Sequence, residues 1–99
     1  MIIYEITAIV SEDLAADYEK YMHEQHIPDL LATGYSNAVF LTVSGENRYR
    51  IQYHANDQNA LDEYLKNDAT RLREDFAKHF PKGITLTREN WEVLQSWKK

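Results

Sequence analysis

The chain of 99 residues contains no cysteine. Disulfide frameworks, thiolate nucleophiles and cysteine zinc sites are thereby excluded, and a reducing compartment, the cytoplasm, is the expected location. Only three glycines, widely separated, and two prolines are present, so neither a glycine-rich phosphate loop nor a low-complexity linker is available. Basic residues are few, 11 against 16 acidic ones for a formal charge of -5. Such a chain lacks the positive field that concentrates proteins on phosphate backbones, and nucleic acid is not an expected partner. No apolar run approaches the roughly 20 residues that span a bilayer. The apolar start, Met1 to Val10, is interrupted by Glu5 and carries neither a basic flank nor a cleavage pattern. It reads as a strand rather than a leader, and no membrane partner is expected. What is present is 43% hydrophobic, 27% charged and 12% aromatic, with seven tyrosines, the composition of one domain over residues 1–99.

Hydrophobic periodicity divides this domain into elements. Residues 2–10 alternate, Tyr4, Ile6, Ala8 and Val10 facing one way and Ile3, Glu5, Thr7 and Ile9 the other. Both faces are semi-apolar, as in a central strand. Ser11 is placed to cap a helix that begins with Glu12 and Asp13 and carries Leu14, Tyr18, Tyr21 and Met22 on one side to about Gln25. Pro28 disfavours helical geometry at Ile27 and removes a donor, so a break is expected at His26 to Pro28. A short turn then restarts behind Pro28, and Gly34 is expected to end it in a left-handed conformation. Tyr35 to Ser44 is a strand with Val39, Leu41 and Val43 on one face and Ala38, Phe40 and Thr42 on the other. Ser44 to Asn47 is a hairpin signal, after which Tyr49, Ile51 and Tyr53 alternate with Arg48, Arg50, Gln52 and His54. A second helix, capped by Asn56 or Asp57, runs along Leu61, Tyr64, Leu65, Ala69, Leu72, Phe76 and Phe80, with a bend possible at residues 67–70 and an end at Pro81 and Gly83. Ile84 to Thr87 is a fourth strand, followed by an extended C-terminal tail.

The order βαββαβ predicts an α+β, ferredoxin-like domain: a four-stranded antiparallel sheet in the order 4-1-3-2 with two helices on one face. The other sheet face would carry Ile3, Ile9, Phe40 and Thr42 beside Arg50, Gln52 and His54. That mixture is too apolar for water and too polar for a dry core, and stacking two such faces into a homodimer resolves it.

The segment Tyr21-Met22-His23-Glu24-Gln25-His26-Ile27-Pro28-Asp29-Leu30-Leu31-Ala32-Thr33-Gly34-Tyr35, the strand Tyr49-Arg50-Ile51-Gln52-Tyr53, and the helix end Leu72-Arg73-Glu74 with His79-Phe80-Pro81 together resemble the DUF4286 family of short bacterial proteins of unknown function. That family is similar to the dimeric α/β-barrel, ferredoxin-like superfamily. The resemblance implies the fold and dimerisation but no reaction, because one scaffold hosts monooxygenases, isomerases, ligand sensors and proteins without assigned chemistry. Where the family often has Trp before the HIP segment, this chain has Tyr18 and Tyr21.

Three constellations are candidates for function. His23 and His26 share a helix face, but their spacing of three falls one short of the helical zinc motif and no third ligand is evident, so neither a metal nor a cofactor is expected. His26 is either a packed histidine or the polar anchor of a ligand at the expected helix break. With it go Tyr4, Tyr53 and Tyr64 as aromatic walls and Arg71 as counter-ion for an acidic compound. The alternative for the tyrosines is a core whose hydroxyls reach the rim. The third group, Glu5, Arg50, Gln52 and His54, lies on the second sheet face. It is either a set of interface pairs or a polar cavity at the dimer seam, with Arg50 and His54 as the second-choice ligand site. The function expected is a homodimeric small-molecule-binding or structural module, the alternative a cofactor-independent monooxygenase or isomerase acting on a small aromatic or acidic substrate.

Overall fold

In the computed structural model, which describes residues 1–43 and 46–99, four antiparallel strands form one sheet in the order β2-β3-β1-β4. They are β1 (Ile2–Val10), β2 (Tyr35–Thr42), β3 (Arg48–Ala55) and β4 (Ile84–Glu92). This is the expected order, read from the other edge. β1 is central, with Tyr4 opposite Tyr53 of β3 on one side and Asn90 of β4 on the other. The helices supply Tyr18, Leu30, Leu61, Leu72 and Phe76 to a single core with Tyr4, Ile6, Tyr49, Ile51 and Tyr53 of the sheet. The residues of the expected hairpin turn at 44–45 lie outside the described residues.

The first helical segment runs without a break. A 3-10 turn at Glu12–Leu14 leads into α1 (Ala15–Tyr21), a π-helical stretch at Met22–His26, and α2 (Ile27–Leu31). Ile27 has helical dihedrals and donates to the Met22 carbonyl five residues back. The reason lies in Pro28, whose ring clashes with a carbonyl four residues earlier in a normal α-turn and which has no N–H to give. Widening that turn relieves the clash, so the chain changes its helical pitch where a break is expected. Two smaller expectations also change. Ser11 makes no side-chain cap; its N–H donates instead to the Gly83 carbonyl at 2.8 Å. Gly34 is not left-handed, because Thr33 closes α2 by donating its hydroxyl to the Leu30 carbonyl at 2.6 Å.

The second helical segment does bend. Asp57 accepts from the Ala60 N–H at 2.8 Å and starts α3 (Gln58–Asn67). Asp68, at φ -123° and ψ -29°, separates it from α4 (Ala69–His79). Gly83 then turns the chain into β4 at φ +89°, a conformation that costs an L-residue about 1–2 kcal/mol. A Cβ there would also meet Leu14 Cδ1 at 2.6 Å and Ser11 Oγ at 2.9 Å. Gly83→Ala is therefore expected to lower the unfolding free energy by about 1–3 kcal/mol, read from urea midpoints, and an unchanged midpoint would refute this account of the turn.

β4 reaches further than the expected Ile84 to Thr87. It pairs with β1 along its whole length, from Val10 opposite Ile84 to Ile2 opposite Glu92, so Trp91 belongs to a strand and only residues 93–99 lie beyond it. The face assignment of β2 is corrected as well. Phe40 opposes Ile51 and Thr42 opposes Tyr49, placing both on the helix side, while Val39 and Leu41 share the open face with Gln52 and Arg50.

Candidate functional site

A cavity of about 230 Å³ lies between the sheet and the helices. The sheet supplies Tyr4 and Ile6 of β1, Ile51 of β3, and Ile84, Leu86 and Arg88 of β4. Strand alternation puts these side chains on the helix face, and Arg88 follows Ile84 and Leu86 at the same period. The helical wall comprises Tyr18 of α1, Met22 and His26 of the π stretch, Leu30 of α2, Tyr64 of α3, and Arg73, Phe76 and Ala77 of α4, closed by Phe80. The lining is thus largely apolar and aromatic with a few polar groups, the usual make-up of a small-molecule site.

Those polar groups have unusual surroundings. His26 is only 7% exposed, its ring lies 5.4 Å from Phe76 and 5.6 Å from Tyr21, and its Nδ1 has no hydrogen-bond partner among the described residues. Burial lowers its pKa to about 4, outweighing the opposing pull of Asp29 and Asp75, so the imidazole is neutral at pH 7. Tyr18 is fully buried, with its hydroxyl unpartnered and its pKa raised by burial. At the part of the wall formed by Tyr4 and Tyr64, the Arg73 guanidinium donates to the Tyr4 hydroxyl at 2.9 Å. Burial, and then Tyr4, push the Tyr64 phenol up to about 12 while Arg73 and Arg88 pull it down. Those two guanidinium groups therefore share the Tyr64 end of the cavity.

Of the residues expected at this site, His26, Tyr4 and Tyr64 line the cavity together. Tyr53 does not: it is enclosed beneath the rings of Tyr4 and Tyr35, 6.3 Å and 5.1 Å away. Arg71 also lies elsewhere. It is exposed and pairs with Asp68 at 3.2 Å, while Asp75 accepts from the Tyr21 hydroxyl at 2.7 Å. Arg73 and Arg88 are the cavity's cations. Arg88 was recoverable from the β4 alternation, and Arg73 from its position beside the Leu72–Phe76 stripe. His23 is exposed while His26 is buried, so the two do not share an environment.

On the opposite sheet face, Glu5 is buried. It accepts from Gln52 Nε2 at 2.9 Å and Trp91 Nε1 at 3.2 Å, and Arg50 Nε lies 3.7 Å away. The grouping of Glu5, Gln52 and Arg50 is the expected one, and Trp91 joins it because β4 is longer. His54 is on the same face, and its backbone carbonyl accepts from Ser36.

No helix is long and apolar enough to cross a membrane among the described residues. Several solved structures share the fold. A candidate antibiotic biosynthesis monooxygenase from Deinococcus radiodurans superposes with a TM-score of 0.75 at 19% identity, covering 100% of this chain and 98% of that one. The heme-degrader MhuD from Mycobacterium tuberculosis, with two hemes in its active site, gives 0.70 at 16% identity over 99% and 100% of the chains. A dimeric ferredoxin-like protein from an uncultured marine organism gives 0.69 at 16% identity over 100% of both. No curated protein matches the chain. A family profile does, over residues 1–94: that of the domain of unknown function DUF4286.

Proposed function

Because the chain belongs to the DUF4286 family, which defines a fold and no reaction, we propose from the site itself that the protein is a homodimeric domain binding a small molecule between its helices and its sheet. The observation that carries this reading is the cavity itself, aromatic and apolar with Arg73 and Arg88 among its lining residues. Apolar and aromatic surfaces with a few polar groups to fix orientation are what such a site requires. The homodimer is supported by the open sheet face and by the dimeric state of the marine relative.

Ala77 tests the cavity directly, being exposed yet part of the lining. In ligand-observed NMR with a panel of single-ring aromatic compounds, acidic and neutral, some members are expected to bind the wild type. Ala77→Trp should weaken them about 10-fold or more by occupying the entrance. Binding that ignores this substitution, or no binding across the panel, overturns the reading.

A second reading, cofactor-independent oxygenation or isomerisation of a small aromatic or acidic substrate, is favoured by the neutral imidazole of His26 among the cavity-lining residues, a candidate base. Proton transfer is most effective when the base's pKa lies near the working pH, and about 4 is well below it. Binding therefore ranks ahead of catalysis.

A further inference from the structure

The chain has five arginines, and three of them have carboxylate partners: Arg48 with Glu46, Arg50 with Glu5 and Arg71 with Asp68. Arg73 and Arg88, the two at the cavity, have none among the described residues, although acidic side chains outnumber basic ones in the sequence. Arg73 is also held in place by its hydrogen bond to Tyr4. Phe76, three residues on and so about one helical turn along the same wall, packs against both His26 and Tyr18. The cavity thus joins two cations without carboxylate partners among the described residues to a wall of aromatic rings.

On the reading that the cavity holds a small molecule, we propose that its ligand class is a small aromatic carboxylate, its acid group held by Arg73 and Arg88 and its ring by the aromatic wall of Tyr4, Tyr64 and Phe76. Guanidinium recognises carboxylate with paired, charge-assisted hydrogen bonds, stronger than those between neutral groups. The volume sets the size. An apolar cavity of about 150 Å³ accepts benzene, and 230 Å³ adds room for a short acid arm and one hydroxyl.

The test titrates the isotope-labelled full chain with 4-hydroxybenzoate and with 4-hydroxybenzamide, which has the same outline and no charge. The acid is expected to bind about 10-fold or more tightly than the amide, with shifts at cavity residues. In the double variant Arg73→Gln, Arg88→Gln, both sites being exposed, that preference should fall to about 3-fold or less. If acid and amide bind alike, or the double variant keeps the preference, the carboxylate class is overturned, while sensitivity to Ala77→Trp leaves the binding cavity standing. If no carboxylate binds, the class falls, and the wider panel decides whether the cavity binds anything.

Discussion

Between pH 7 and pH 4.5 the wild-type protein is expected to lose about 2 kcal/mol of stability that a His26→Phe variant keeps. His26 titrates near 6.5 in the unfolded chain, whereas burial among Tyr21, Phe76 and the cavity wall holds it neutral in the folded chain down to about 4. Across that interval the unfolded state binds a proton that the folded state refuses. Stability is then undiminished above pH 6.5, falls as the pH drops toward 4, and levels off below. Carboxylates that titrate over the same range do so in both proteins, and the difference between the two curves isolates the imidazole. Phenylalanine keeps the ring packing and removes the unpartnered nitrogen, so the variant should be no less stable at pH 7. Urea midpoints measured at half-unit steps of pH give the answer, and parallel curves for the two proteins would show that His26 is solvated rather than enclosed.

The same residue marks the boundary of what the sequence can express. Local rules located His26 beside Pro28 and required a break there, because a proline with no donor and a bulky ring ends an ordinary α-turn. A widened turn meets both constraints, but it is selected by packing of Met22, His26 and Leu30 into the core, which no window of sequence contains. β2 shows a different limit. Alternation told correctly that Val39 and Leu41 share one face and Phe40 and Thr42 the other, but not which face is the inner one. That depends on register with β3, which shifts between Tyr35 and Asn37. By contrast β1, β3, the Asp57 cap and the bend near Asp68 were legible because each rests on neighbours a few residues away. Choosing Arg71 over Arg73 failed for a related reason. Both flank the Leu72–Phe76 stripe, and only the position of β4 determines which flank faces the cavity.

Trp91→Ala is expected to weaken the proposed homodimer by about 30-fold or more, seen as a shift toward monomer in sedimentation equilibrium at micromolar concentration. The open sheet face places half-exposed Trp91 and Ile9, at 52% and 57%, with Val39 and Leu41 around a polar centre. Exposed apolar groups of this density favour a partner, and the face suits a second copy of itself because its one buried acid is already satisfied. Glu5 takes hydrogen bonds from Gln52 and Trp91 and lies beside Arg50, so covering it strands no charge. Tryptophan is the side chain type that most often dominates such contacts, and here its indole N–H is fixed by Glu5, which lowers the entropy lost on association. Trp91→Phe separates contact from folding: it keeps most of the apolar area and loses the hydrogen bond, so it should weaken the dimer less than alanine does. Removing residues 94–99, which expose Leu94 and Trp97 beyond the sheet, should also favour monomer while leaving the thermal midpoint nearly unchanged. A wild-type chain that sediments as a monomer across the whole concentration range would overturn the dimer. The helix-side cavity, lined by a single chain, would then have to account for function alone.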